Sequence, residues 1–251
     1  MLEALTDQKR SDFMASESIS LASDDAATLK AWVARRKKHE PLAYILGNQP
    51  FYGQTITVNP SCLIPRASTE CLVDFVLNQH PQGQLRIADL GTGSGAIAAA
   101  LAAHRPTWHI DAVDKSEASL VVARTNLSQF PQVELMHGDW CEGLPAHSYD
   151  IIIANPPYVS DTEYAHLQAS LCYEPRNALV SDHDGFSDGQ AIAIGAAGCL
   201  RNGGCLVLEH GHTQQQVLME RLEALGYHHV QGHLDYNGHP RFISAKRQYH
   251  A

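Results

Sequence analysis

Long apolar runs are absent from this 251-residue chain, and none approaches the roughly 18 residues that a helix needs to cross a bilayer. The first 25 residues are polar and charged, so neither a membrane span nor a signal peptide is expected. Paired cysteine motifs are absent as well. Cys62, Cys71, Cys141, Cys172, Cys199 and Cys205 form no CxxC and fit no small disulfide scaffold, which predicts reduced thiols in a cytoplasmic protein. Basic charge is scarce: 18 Lys and Arg face 27 Asp and Glu, for a net charge of −9. Residues 1–50 hold seven of each sign, so the whole deficit falls on residues 51–251. Gripping nucleic acid requires cations against phosphates, so direct nucleic-acid binding is not expected, whereas a basic protein partner is compatible. Fifteen histidines are present, but the tightest cluster, His210-Gly211-His212, lacks a third ligand at metal-site spacing. No metal is expected.

What the chain does have is a β-α-β rhythm. Strands are predicted at 85–90, 109–114, 133–137, 149–154, 205–209, 229–234 and 241–246, with helices at 95–104, 116–129, 188–200 and 213–225. Alternation of this kind implies an α/β fold, a doubly wound and mostly parallel seven-stranded sheet with helices on both faces. The last two strands would form an antiparallel edge. Upstream, Ser23-Asp24-Asp25 signals a helix start, and Leu29, Trp32 and Val33 share one face of a helix reaching about His39. Its end carries Arg35 to Lys38, which suits the negative end of the helix dipole and is also compatible with an acidic partner. Pro41 stops this helix, residues 51–58 suggest a hairpin around Gly53, and Ser68 or Thr69 with Glu70 opens the next helix. The expected organisation is a small helical appendage at 1–40, a linker with hairpin at 41–66, and a main domain at 67–251. Residues 160–185 read as polar and irregular.

Asp89-Leu90-Gly91-Thr92-Gly93-Ser94-Gly95 follows the first strand of the main domain and opens a helix. Glycines let a backbone approach a ligand closely. The GxGxG spacing departs from the GxGxxG of dinucleotide binders, whose pyrophosphate rests on the helix N-terminus. An acid ahead of the loop suits a zwitterionic ligand without phosphate, with Asp89 attracting an ammonium directly or through water. Asp114 ends the second strand, where a carboxylate can take ribose hydroxyls. Asp139-Trp140 follows the third, where an acid can accept from an exocyclic amine and an indole can cover a purine. An amino-acid end, a ribose and an adenine together describe S-adenosylmethionine.

Asn155-Pro156-Pro157-Tyr158 directly follows the apolar run 149–154, at the strand's carboxyl end where open α/β sheets place ligands. An Asn side-chain oxygen and the Pro156 carbonyl can accept both hydrogens of a planar NH2 group. Burying those hydrogens unpaired would cost a few kcal/mol. Consecutive prolines stiffen the carbonyl's position, and Tyr158 can lie against the guest's flat face. A rigid strand-to-loop turn is the bland reading of the same residues.

Further stretches carry a resemblance: Pro41-Leu42-Ala43-Tyr44-Ile45-Leu46-Gly47, Ile64-Pro65-Arg66 with Thr69-Glu70, and Tyr173-Glu174-Pro175-Arg176-Asn177-Ala178-Leu179. Asp184-Gly185-Phe186 and Leu208-Glu209-His210-Gly211 with Gln214 add to it. With the glycine loop and the Asn-Pro-Pro-Tyr motif, residues 10–247 resemble the HemK-like glutamine methyltransferases of class I peptide chain release factors. The resemblance implies a class I S-adenosylmethionine-dependent methyltransferase. Its target would be the side-chain amide nitrogen of the glutamine in a release factor's Gly-Gly-Gln loop, with an effect on translation termination. It assigns catalytic and amide-holding roles to Asn155, Pro156 and Tyr158, with Pro157 shaping the pocket. Cofactor contacts would come from Gly91, Thr92, Gly93, Ser94, Gly95, Asp114, Trp140 and Asn155. Arg66 and Glu70, close in sequence, would brace the pocket or simply pair with each other. Two departures stand out: Ala67-Ser68 replaces the family's Pro-Asp, and the helical appendage is short, as if the chain began at an internal methionine. A related branch methylates a ribosomal-protein glutamine. Methyltransferases acting on adenine or cytosine amino groups share Asn-Pro-Pro-Tyr but normally need a target-recognition domain for which this chain has no room. A cofactor-binding scaffold without catalysis is the remaining alternative.

Overall fold

Tyr149–Ala154 is buried at all six positions, as expected of a strand with neighbours on both sides and helices on both faces. In the computed structural model, which describes residues 1–6, 8–15, 20–80 and 83–249, this strand is the sixth of nine. A hairpin, β1 (Asn48–Phe51) and β2 (Gln54–Thr57), precedes the sheet. The sheet comprises β3 (Arg86–Leu90), β4 (His109–Asp114), β5 (Val133–His137), β6 (Tyr149–Ala154), β7 (Leu200–Glu209), β8 (Tyr227–Leu234) and β9 (Pro240–Arg247). Its order is β5-β4-β3-β6-β7-β9-β8, parallel from β5 to β7 and antiparallel at β9 and β8. The sequence-based fold class is therefore the observed one.

The helices are α1 (Leu2–Thr6), α2 (Arg10–Ala15), α3 (Ser23–Lys37), α4 (Leu42–Leu46), α5 (Glu70–Gln79), α6 (Ala96–His104) and α7 (Glu117–Leu127). Beyond β6 come α8 (Asp161–Tyr164), the short α9 (Asp182–Gly185), α10 (Ser187–Cys199) and α11 (Gln215–Ala224). One core layer packs α5, α6 and α7 with the hairpin against the sheet, and the other packs α10 and α11 on the opposite face. Five of the six alanines of α6 are buried, and their small side chains let that helix lie close to the strands. None of the described helices is long and apolar enough to cross a membrane.

Strand registers decide where the site falls. Leu90 pairs with Val113 on β4 and with Ala154 on β6, and Asp114 pairs with His137 on β5. Four chain segments thus leave the sheet at one level, and β3 and β6 are adjacent although widely separated in sequence. This is the topological switch point at which ligands bind in open α/β sheets.

Local differences from the sequence reading have simple causes. Ser23 does not cap α3; Ala22 holds the cap position without a side-chain bond. The cations ending α3 partly close it: Arg35 pairs with Glu40 at 2.6 Å, and Arg36 donates to the Glu40 carbonyl at 2.9 Å. Tyr52 and Gly53 both adopt left-handed backbone, at φ 46° and 75°, which matches the tight turn expected of a two-residue hairpin. The stretch 160–185 is tied down more firmly than its composition suggests. Ser160 and Glu163 form a reciprocal capping box, and Val159 bridges Val180. Buried Glu174 accepts from the Ile64 amide at 2.9 Å and from Arg66 at 2.5 Å.

Candidate active site

The loop after β3 turns back on itself through three glycines in left-handed backbone, at φ 70° (Gly91), 57° (Gly93) and 80° (Gly95). Asp114, at the end of β4, fixes it: one carboxylate oxygen accepts from the Gly93 amide and the other from the Ser116 amide, each at 2.8 Å. Burial raises the Asp114 carboxyl, while those two amides favour its charged form. Trp140, itself left-handed at φ 48°, covers the loop so closely that a Cβ on Gly91 would lie 2.8 Å from its Cζ3. Lys115 sits 5.7 Å from the centre of that indole and 4.0 Å from Asp139. Gly91, Gly93, Asp114, Asp139, Trp140, Asn155 and Pro157 line one cleft of about 630 Å³, open solvent included.

Not every expected cofactor residue reaches this cleft. Thr92 and Ser94 line a smaller neighbouring hollow with Asn155 and Thr69. Gly95 lies behind the loop, at the N-terminus of α6, where an added Cβ would meet Leu127 Cδ1 at 2.9 Å. Asp89 is buried beneath the loop, accepting from Thr92 Oγ1 at 2.6 Å and from the Ala98 amide at 3.2 Å. Burial pushes its carboxyl up to about 6, and Oδ1 has no hydrogen bond. The indole over the loop and the carboxylate of Asp114 fit the adenine and ribose parts of S-adenosylmethionine, whereas Asp89 lines neither hollow and holds the loop from beneath.

Asn155 and Pro157 also face a second cleft, of about 590 Å³, with Leu63, Arg66, Pro156, Tyr158 and Leu171. Asn155 Nδ2 donates to Thr69 Oγ1 at 3.2 Å. The ring of Tyr158 leads to a buried polar cluster: its hydroxyl is 3.4 Å from Glu209 Oε1 and 3.4 Å from Arg241. Burial and the neighbouring Glu209 hold the Tyr158 phenol well above its usual range. Glu209 is 1% exposed and burial pushes its carboxyl up to about 7.

The suggested pairing of Arg66 with Glu70 does not occur. Arg66 reaches across the fold to Glu174, because that carboxylate is buried and needs a cation, while Glu70 accepts from the Tyr52 amide at 2.8 Å. Thr69, read as a helix cap, instead turns its hydroxyl to Asn155. Sequence reasoning gave no role to Gln214, Gly185 or Asn126. Gln214 donates to the Tyr158 carbonyl at 3.0 Å, and a Cβ on Gly185 would lie 2.2 Å from that same oxygen. Asn126 donates to Ser94 and Thr57 carbonyls, joining the glycine loop to the hairpin. Gln214 and Gly185 stood within stretches carrying the resemblance; Asn126 had no sequence signal.

Sheet order, glycine loop and cleft together define a class I methyltransferase that uses S-adenosylmethionine. Two solved structures share the fold: a methyltransferase from Pyrococcus furiosus (TM-score 0.60, 19% identity, 91% of this chain and 100% of that one) and an S-adenosylmethionine-dependent methyltransferase from Aquifex aeolicus (TM-score 0.52, 13% identity, 69% and 88%). A family model described as a methyltransferase small domain matches residues 67–185, and one described as a PrmC N-terminal domain matches residues 1–47. The release factor glutamine methyltransferase of Coxiella burnetii is 44% identical over 250 residues, covering 98% of this chain and 90% of that protein. That of Escherichia coli is 34% identical over 243 residues, covering 96% and 88%. The chain belongs to the release factor glutamine methyltransferase family.

Two outcomes follow from this geometry. Gly91→Val forces a branched side chain into left-handed backbone and against Trp140, so calorimetry should show at least ~10-fold weaker binding of S-adenosylmethionine, about 1.4 kcal/mol. Glu209 is protonated more readily when folded than at its unfolded value near 4.5, so its contribution to stability is full below that value and lost as pH rises through about 7. Glu209→Gln should therefore flatten the melting temperature between pH 5 and 8 and melt higher than the parent at pH 8.

Proposed function

We propose that this protein transfers the methyl group of S-adenosylmethionine to the side-chain amide nitrogen of the glutamine in the Gly-Gly-Gln loop of a class I release factor. It would thereby modulate translation termination in the cytoplasm. The observation that carries this reading is the shared wall. Asn155 and Pro157 belong at once to the cleft bearing the glycine loop, Asp114 and Trp140 and to the cleft closed by Tyr158. A guest in one therefore meets a guest in the other at this tripeptide.

A carboxamide suits the second cleft because its NH2 offers two hydrogens in one plane. Asn155 Oδ1 and the Pro156 carbonyl accept them, while the cleft's apolar residues take the side chain's methylenes. When bound, the cofactor would supply a methyl carbon on sulfonium, and the amide nitrogen would attack that carbon in line as the carbon–sulfur bond breaks with its electron pair going to sulfur, leaving a neutral thioether. Residues of this chain orient the nitrogen and exclude water, and such orientation is worth on the order of 7–11 kcal/mol. The nitrogen would turn acidic as its new bond forms, so no strong base has to touch it beforehand, and its proton would leave through the contact with Asn155 to solvent. Asp114, Trp140 and the Gly91–Gly93 backbone would hold the ribose, adenine and amino-acid portions. The match of residues 1–47 to the family's N-terminal domain supports a release factor as the partner.

With labelled S-adenosylmethionine, the protein should label a release factor but not its Gln→Ala variant, a ribosomal protein or DNA. Label in the Gln→Ala variant, or in DNA alone, would overturn the reading. Asn155→Ala should lower turnover by ~100-fold or more, as loss of one oriented hydrogen bond does in other active sites.

A further inference from the structure

Tyr158 closes the Asn-Pro-Pro-Tyr motif, and its backbone carbonyl lies against an uncommon turn. His183, Asp184 and Gly185 adopt left-handed backbone in succession, at φ 52°, 58° and 83°. Residues with a Cβ resist that conformation, and a run of it persists only where the surroundings impose it. Gly185 packs there because it has no Cβ to overlap the Tyr158 oxygen. The surroundings that impose the turn include the Gln214 side chain, 6% exposed, at the N-cap of α11. Its Nε2 faces three carbonyl oxygens, those of Tyr158 at 3.0 Å, Gly185 at 3.2 Å and Asp184 at 3.4 Å. Its Oε1 accepts from the Gly211 amide at 2.9 Å. A side-chain amide can be turned end for end, but a backbone N–H only donates and backbone carbonyls only accept, so these partners settle the orientation.

We infer that Gln214 is a positioning residue for methyl transfer: its carboxamide clamps the turn at 183–185 onto the Tyr158 carbonyl and so fixes the far end of the Asn-Pro-Pro-Tyr motif. The near end is set by β6, whose last residue, Ala154, pairs with Leu90 on one side and Leu208 on the other. Between the two ends Pro156 and Pro157 have little freedom. A shift at Tyr158 is therefore passed back to the Pro156 carbonyl, which receives the target amide. The connection from β7 to α11 grips Tyr158 elsewhere as well. A Cβ on Gly211 would touch the ring at Cδ2, 3.6 Å away, and Glu209 meets the hydroxyl. Gln214 lines neither the cofactor cleft nor the target cleft, so it acts through the motif and touches neither guest.

The role rests on the amide transfer proposed above, and the assay lets each fail separately. Turnover on the release factor, cofactor affinity by calorimetry and melting curves are measured for the parent, Gln214→Glu and Gln214→Met, below the lowest melting temperature of the set. Both variants should lower kcat by ~10- to 100-fold at unchanged cofactor affinity, the cost of a small misplacement at the reacting group. A merely structural clamp would move the melting temperature and leave kcat alone. Gln214→Glu adds a pH readout. Ionised, its carboxylate faces three carbonyl oxygens and repels them; protonated, its O–H donates to one of them while the other oxygen still accepts from Gly211. Its rate relative to the parent should therefore rise as pH falls, whereas that of Gln214→Met should stay level. Taking the ratio to the parent cancels titrations common to both proteins, that of Glu209 among them. An unchanged kcat in Gln214→Met, or a level ratio for Gln214→Glu, overturns the inference while label on the release factor from the parent keeps the function. No label from the parent overturns the function itself. Should one variant fail to fold, the other decides by its own criterion.

Discussion

Everything at this site depends on strand ends that stop at one level. Leu90 lies beside both Val113 and Ala154, so Gly91, Asp114 and Asn155 leave the sheet side by side. A one-residue slip in a parallel strand would turn its side chains to the opposite face. The uninterrupted burial of β6 between β3 and β7 makes such a slip costly, since Asp150 would enter an apolar layer. Packing of the sheet is thus what sets the spacing of cofactor loop and motif. The loops themselves contribute little rigidity beyond what the strands impose and the side-chain bonds hold.

Those bonds run largely to buried carboxylates. Asp89, Glu174 and Glu209 are each nearly inaccessible, and each serves as an acceptor for groups that would otherwise be free to move. Burying a carboxylate is expensive unless it is paired. Glu174 has the Arg66 guanidinium, whereas Asp89 and Glu209 rely on neutral donors and are left with protonation ranges near neutrality. The protein therefore gives up stability at the two positions where a ligand or a motif has to be oriented, a pattern familiar from functional sites.

How much of this was legible in the sequence differs by residue. The strands were, because apolar runs such as 149–154 have few other uses, and so were the glycine loop and the Asn-Pro-Pro-Tyr motif, whose residue types and positions after strands carry chemical meaning. Thr69 stood in a recognised stretch but had no role beyond opening a helix, because a hydroxyl before a helix is ordinarily a cap and nothing local shows that a residue 86 positions later supplies its partner. Arg66 could be read as bracing the pocket or as pairing with its near neighbour Glu70, and only the structure shows Glu174 as its partner. Proximity along the chain is a weak guide once a distant acid is more deeply buried. Glu209 stood in a recognised stretch without a role, since its meaning comes from the Tyr158 hydroxyl beside it. Asn126, on a helix face, gave no sign that it would tie the hairpin to the glycine loop.

The placement of β9 has a further consequence. It inserts between β7 and β8, and Arg241 on it reaches the Tyr158 hydroxyl. During synthesis the cofactor loop and the motif emerge long before this strand does. A partly made chain therefore holds Glu209 and Tyr158 without their neighbouring guanidinium. Assembly of the polar cluster is a late, long-range event, and a chain still leaving the exit tunnel has yet to complete the very machinery with which it would act on translation.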